Sequence, residues 1–223
     1  MEKACMKVLV VGATGGSGRA TVEELLSRGH EVTAFARHAE QLQPLSGRIN
    51  IVNGDAMNPA DMERAVKGQD AVIVTLGIRE SALRVRLFGS ASTPIDVRSA
   101  GTRNAIAAMR KHGVRKLVVQ TSFGVGETRD KLPFAYRLMF KLLLKPQIAD
   151  TEQQEREVRA SGLDWVIAQP VNLTDGLEGD GPFASPAGEV RGMKVSRKRV
   201  GRFLVDAMQS AKYLGSSVAL SAA

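Results

Sequence analysis

Cysteine is almost missing from this 223-residue sequence: Cys5 stands alone, so no intrachain disulfide can form. One cysteine and three scattered histidines cannot assemble a common zinc site. Aromatic residues make up only 4% of the chain, and no zinc-finger, basic-zipper or RNA-recognition pattern accompanies its basic residues. No window approaches eighteen consecutive apolar residues, which excludes a transmembrane helix. The longest early run, Val8–Val11, passes straight into glycines and makes a poor signal-peptide core. The expected compartment is the cytoplasm.

What is present is an ordinary globular composition, 43% hydrophobic and 24% charged, with a net charge of +8. That length fits one core, so a single domain over residues 1–223 is expected. The charge is concentrated. Residues 79–145 hold fourteen Lys or Arg against Glu80, Asp96, Glu127 and Asp130, a local +10 that leaves about −2 for the remainder. Residues 191–202 add six basic side chains and no acid. Without nucleic-acid motifs, these clusters read as a solvated basic face or a site for an anionic small molecule.

β-Branched runs alternate with helical stretches along the chain. Strands are predicted at Lys7–Val11, Glu31–Ala36, Ile49–Asn53, Ala71–Thr75, Lys116–Thr121 and Asp164–Ala168. Helices are predicted at Gly16–Arg28, Pro59–Val66, Asp96–His112, Ile148–Ser161 and Arg197–Gln209. Near-continuous apolar strands between helices imply an α/β fold, a doubly wound parallel sheet with helices on both faces. Three stretches break the rhythm, at residues 77–94, 124–146 and 173–193. Each follows a strand in the second half, so together they are expected to wall a pocket at the carboxyl ends of the strands.

The segment Val10–Arg19 reads V-V-G-A-T-G-G-S-G-R, with a strand before it and a helix after it. Gly12 permits the tight turn, Gly15 lets backbone approach a pyrophosphate, and Gly18 lets the helix pack close to the sheet. The helix then offers unpaired N–H groups and a positive dipole to a phosphate. The second strand ends without an acid and is followed by Arg37 and His38. Folds that prefer NAD carry Asp or Glu there for the ribose 2′-hydroxyl, whereas a planar guanidinium suits a 2′-phosphate. The expected cofactor is therefore NADP.

The glycine spacing, with Thr14 inside it, resembles the short-chain dehydrogenase/reductase superfamily in its atypical, NmrA-like branch. The likeness continues through Gly54-Asp55, Thr75-Leu76-Gly77, Thr121-Ser122, Ser161-Gly162-Leu163-Asp164-Trp165, the strand ending at Pro170, and Val195-Ser196-Arg197. The segments QDAVIVTLG and AMRKHGV resemble the biliverdin-IXβ/flavin reductases. The resemblance implies a Rossmann fold in which Thr14, Gly15, Gly16, Ser17 and Gly18 hold the pyrophosphate. It implies that Asp55 meets the adenine amino group, with Ala56 beside it. Thr75, Leu76 and Gly77 would line the ribose and nicotinamide side, and Thr121 and Pro170 would complete the cofactor's surroundings. Asp55 could instead form an Asx turn before Pro59.

Most short-chain dehydrogenases activate their substrate with Tyr-x-x-x-Lys and a Ser. Counting back from Ser161-Gly162-Leu163, the Tyr and Lys positions hold Gln147 and Thr151. Tyr136 and Lys141 are spaced five apart on a different stretch. Ser122 remains as a catalytic candidate that could meet the nicotinamide carboxamide or the substrate, or could cap the following turn. His30, His38 and His112 have no Ser or Cys partner in a hydrolase-like arrangement, and none is expected to catalyse. Residues 131–145 interleave apolar and basic side chains, as a lid over a planar acidic substrate, a partner or membrane helix, or a half-buried helix would.

Without a strong acid, hydride transfer suits acceptors that take hydride readily, with solvent protonating them afterward. The expected function is an NADPH-dependent reductase of a flavin, quinone or other conjugated small molecule, planar and anionic. The alternative is a non-catalytic NADP-binding sensor of NmrA-like type.

Overall fold

The computed structural model describes residues 5–45, 47–78, 93–133, 145–176 and 181–222. The sequence first lays down β1 (Lys7–Val11), whose Val8 to Val11 are wholly buried, and follows it with α1 (Gly16–Ser27). Next come β2 (Glu31–Ala36), β3 (Asn50–Asn53), α2 (Pro59–Val66) and β4 (Ala71–Val74). A short 3-10 turn at Ala39–Leu45 links β2 to β3. The second half contributes α3 (Val97–His112), β5 (Lys116–Gln120), α4 (Lys145–Arg159) and β6 (Asp164–Pro170). It ends with β7 (Asn172–Thr174), β8 (Phe183–Ser185), β9 (Lys194–Ser196), α5 (Arg197–Gln209) and β10 (Ser216–Ser221).

Eight strands form one sheet in the order β3-β2-β1-β4-β5-β6-β10-β8, and β7 pairs with β9 apart from it. Every neighbour in the large sheet is parallel except β8, which runs antiparallel to β10. The order reverses direction between β1 and β4, and at such a switch the helices leave to opposite faces and open a crevice above the strand ends. On one face, Val8, Val10, Leu25 and Ile73 pack with Val200, Phe203 and Leu204 of α5. On the other, Leu9, Val11 and Val74 pack with Met62, Ile106, Met109 and Val158 from α2, α3 and α4. Burial on both faces is why these strands read as continuous apolar runs.

Local signals set the helix ends. Asn58 accepts the Ala60 N–H at 2.9 Å and Pro59 opens α2, so one donor is capped and another is absent. Gly113 closes α3 in the left-handed conformation, behind Arg110, Lys111 and His112 in its last turn. His112 lies 3.6 Å from the Glu63 carboxylate.

The α/β fold expected from the sequence is the fold observed, with differences at the edges. The strand expected at Asp164–Ala168 runs on to Pro170, because Ala219 and Leu220 of β10 pair with Gln169 and Pro170. The helix expected at Ile148–Ser161 begins at Lys145 and ends at Arg159. β7, β8, β9 and β10 are not among the strands expected from the sequence. The stretch 173–193 therefore contains strand as well as loop, and 124–146 contains a 3-10 turn at Gly126–Lys131. Most of 77–94, and residues 134–144 with Tyr136 and Lys141, lie outside the described residues. Among the described residues, no helix is long and apolar enough to cross a membrane.

Candidate functional site

At the carboxyl ends of β1, β2 and β4 lies a cleft. Its lining includes Gly12, Thr14 and Gly15 of the glycine loop, Arg37 after β2, Asp55 and Ala56 after β3, and Thr75, Leu76 and Gly77 after β4. Nine of the residues expected to touch a cofactor thus share one cavity, at the sheet's topological switch.

The loop is shaped by what it cannot hold. Gly12 has φ +84°, and a Cβ there would stand 2.9 Å from the Thr75 carbonyl oxygen. A Cβ on Gly18 would run into the Gly12 carbonyl oxygen and stand 2.9 Å from the Ala13 Cα. Both obstacles are backbone, which has no rotamer to change. The Thr75 hydroxyl donates to the Val11 carbonyl at 3.0 Å, fastening the end of β4 to the start of the loop. Gly16, Ser17 and Gly18 form the first turn of α1, where no acid competes for the exposed N–H groups. The Arg197 side chain lies across Gly16, its Cδ 2.5 Å from where a Cβ would be, and its Nη1 meets Asp175 Oδ1 at 2.5 Å.

Arg37 occupies the rim at the end of β2, and its Nη2 donates to Thr93 Oγ1 at 2.7 Å. That bond ties the guanidinium to another residue of the cleft lining. His38 also lines the rim, with Nδ1 3.3 Å from Glu40. Asp55 lines the cleft, and its Oδ1 accepts the Met57 N–H at 3.0 Å in an Asx turn. Its own N–H donates to Asp61 Oδ2 at 3.0 Å. That bond, with Arg64 beside it, holds the Asp61 carboxyl below its ordinary pKa. Asn104 steadies the same loop through the Ala56 carbonyl at 2.9 Å.

Other expected residues lie elsewhere. Thr121 is buried past β5, and its hydroxyl donates to Glu155 Oε1 at 2.8 Å. Ser122 is half-buried and bonds the Phe123 carbonyl at 3.2 Å. Pro170 is buried at the end of β6, where its carbonyl accepts the Phe123 N–H. None of the three lines the cleft. Thr151 is buried and gives its hydroxyl to the Gln147 carbonyl at 2.8 Å, as a helical threonine commonly does. His30 is fixed between the Met6 N–H and Gln209.

The sequence reading missed Phe35, Ala36, Gly54, Thr93 and Val97, all of which line the cleft. Phe35 and Ala36 end a strand already recognised and could have been included. Thr93 could not, since only the fold brings it to Arg37. No group of three or more His, Cys, Asp or Glu among the described residues could hold a metal.

Comparison with known proteins agrees with this geometry. A family described as NAD(P)H-binding matches residues 12–211. An uncharacterised chloroplastic protein of Arabidopsis thaliana is 31% identical over 215 residues, covering 91% of this chain and 71% of that protein. Two solved structures share the fold. An anaerobillin reductase from Escherichia coli O157:H7 superposes with TM-score 0.75 at 21% identity, over 96% of each chain. A short-chain dehydrogenase/reductase from Veillonella parvula, solved with NADP, superposes with TM-score 0.78 at 17% identity, over 98% of this chain and 95% of that one. With a Rossmann sheet, a glycine loop closed to side chains at Gly12 and Gly18 and a cleft at the switch point, the chain belongs to the NAD(P)H-binding family and has the fold of the atypical short-chain dehydrogenases/reductases.

Proposed function

We propose that the protein is an NADPH-dependent reductase that delivers hydride to a conjugated acceptor such as a flavin or quinone. The observation that carries this reading is a built cofactor cleft beside a helix whose relay positions bear no acid: Gln147 and Thr151 stand there, and the Thr151 hydroxyl is spent inside α4.

The residues of the cleft fit a dinucleotide phosphate. Thr14, Gly15, Gly16, Ser17 and Gly18 would hold the pyrophosphate against the first turn of α1. Arg37, steadied by Thr93, would take the 2′-phosphate, and a hydrogen bond to such a charged group is worth about 1.5–3 kcal/mol. Asp55 and Ala56 would flank the adenine, with Thr75, Leu76 and Gly77 toward the nicotinamide. When bound, the cofactor supplies the hydride. The chain supplies position: it fixes one face of the cleft and leaves the proton to solvent, which a flavin or quinone tolerates. The acceptor's side of the pocket would be walled by residues 77–94, 124–146 and 173–193, and Ser122 would act on orientation rather than as an acid. The lone cysteine fits a reducing, cytoplasmic setting.

Two measurements test this. Fluorescence titration should give NADPH a dissociation constant at least about tenfold below that of NADH. Equal constants would remove the 2′-phosphate assignment. Single-turnover oxidation of NADPH should require a flavin or quinone. Tight NADPH binding without oxidation by any conjugated acceptor would replace the reductase with the NADP sensor.

A further inference from the structure

We infer that Arg98 is the receptor for a carboxylate carried by the acceptor, at the inner end of the cofactor cleft. This rests on the reductase reading and adds a substrate class to it.

Arg98 sits in the first turn of α3, an unfavourable place for a cation, since the helix N-terminus is itself positive. The backbone there is already served from α4: Asp150 accepts the Arg98 N–H with Oδ2 and the Ser99 N–H with Oδ1, each at 3.1 Å. Asp150 is thus occupied with the backbone and reaches the Arg98 side chain only through space. The guanidinium is deeply buried, and its Nη1 is shut off from solvent with no hydrogen-bond partner among the described residues. Burial lowers its pKa while the nearby Asp150 charge opposes that shift, yet an arginine stays charged at any ordinary pH. A buried charged donor left unmade is among the costlier things a fold retains.

The other arm of the same guanidinium lies just behind the cleft wall. Arg98 Nη2 lies 3.5 Å from the point that a Cβ on Gly77 would occupy, and Gly77 and the neighbouring Val97 both line the cleft. A planar fork with an unmade bond is matched by a carboxylate. The cofactor's anionic groups are assigned elsewhere, the pyrophosphate to the glycine loop and the 2′-phosphate to Arg37. A monoanion also suits a position that Asp150 already makes partly negative.

Anthraquinone-2-carboxylate and its methyl ester are suitable probes, since they share one planar ring system and differ in charge. Binding is measured on the full chain with NADP⁺ present, and turnover separately with NADPH. The acid should bind about ten- to hundredfold more tightly than the ester, and R98Q should bring that ratio close to one. Equal affinity of the two probes for the unmodified protein overturns the inference. So does a tenfold loss of NADPH affinity in R98Q, which would give Arg98 to a cofactor phosphate. The two readings fail differently. Acid-selective binding without NADPH oxidation keeps Arg98 and removes the reductase; reduction of both probes by NADPH at equal KM keeps the reductase and removes Arg98. Should R98Q not fold, competition on the unmodified protein decides: benzoate should displace the acid and benzamide should not, and equal displacement by both overturns the proposal.

Discussion

The two halves of the sheet end in opposite ways. Beyond β1, β2 and β4, the chain leaves space: glycines without room for a Cβ, Arg37 and Thr93 bonded at the rim, and a start to α1 with no side-chain cap and no acid. Beyond β5 and β6, polar groups turn on one another. Glu155 of α4 is wholly buried and receives Thr121 Oγ1 at 2.8 Å, Gln169 Nε2 at 2.8 Å and Arg159 Nη2 at 3.0 Å. Arg159 in turn meets Ser217 of β10 at 2.8 Å. A connected network of this kind rigidifies its surroundings even with Gln169 Oε1 left without a partner, whereas an open cleft leaves room for a ligand. The first half is organised for a ligand and the second for the fold, so substitutions in the two should separate affinity from stability.

The largest expected effect tests the second half. Glu155→Ala removes the shared acceptor and should cost about 3 kcal/mol in urea denaturation, while folded protein keeps most of its NADPH affinity. A loss of affinity exceeding the loss of stability would show that the network serves the cofactor and would dissolve the contrast. Gly18→Ala tests the first half. Because its Cβ meets backbone, overpacking of about 1–3 kcal/mol should fall mainly on NADPH affinity, read by fluorescence titration beside a thermal melt. Unchanged affinity would mean that the loop yields more easily than its contacts suggest. Arg37→Asp should erase the tenfold or greater preference for NADPH over NADH without altering stability appreciably. A preserved preference would move the 2′-phosphate elsewhere.

Smaller effects sharpen the boundary. Ser122→Ala should slow single-turnover NADPH oxidation by less than about threefold, against the 10²- to 10⁴-fold that a positioned general acid contributes. A hundredfold loss would place Ser122 in the chemistry. Acid should loosen the fold by degrees. Asp61, Glu157 and Asp164 each have pKa values lowered in the folded protein, by the Asp55 N–H, Arg103 and Arg115 respectively. Groups so depressed add stability above their unfolded pKa, near pH 4, and lose it as pH falls through the folded value. Thermal melts between pH 6 and pH 2.5 should decline chiefly below pH 4, and Asp61→Asn should flatten that decline slightly. No change in slope would mean that the Asp55–Asp61 contact contributes little in solution.

What could be read from the sequence follows the same division. The glycine loop, the acid-free end of β2 and the core strands announce themselves locally, through spacing and apolar runs that burial on both faces requires. β10 does not. It reads S-S-V-A-L-S, and two of its serines are buried because Arg159 bonds Ser217 and the Arg191 N–H bonds Ser221 at 3.0 Å. A strand whose polar residues are satisfied by distant partners carries no periodic signal. Thr93, the Glu155 network and the guanidinium of Arg98 share that character: each is defined by a neighbour distant in the chain, 56 positions for Thr93 and Arg37 and 34 for Glu155 and Thr121, or by a bond left unmade. Thr121 and Ser122 show the reverse case, matching in pattern but not placed along the cleft.

The position of β10 also bears on how the molecule forms. It lies between β6 and β8, yet it follows both in chain order. The half of the sheet that holds β3, β2, β1 and β4 can assemble from contacts made early and close in sequence. The far edge cannot close until β10 is inserted, since β8 reaches the sheet only through it. Non-local pairing of this kind slows folding. Refolding should therefore proceed in two stages, with the cofactor cleft competent before the final strand docks.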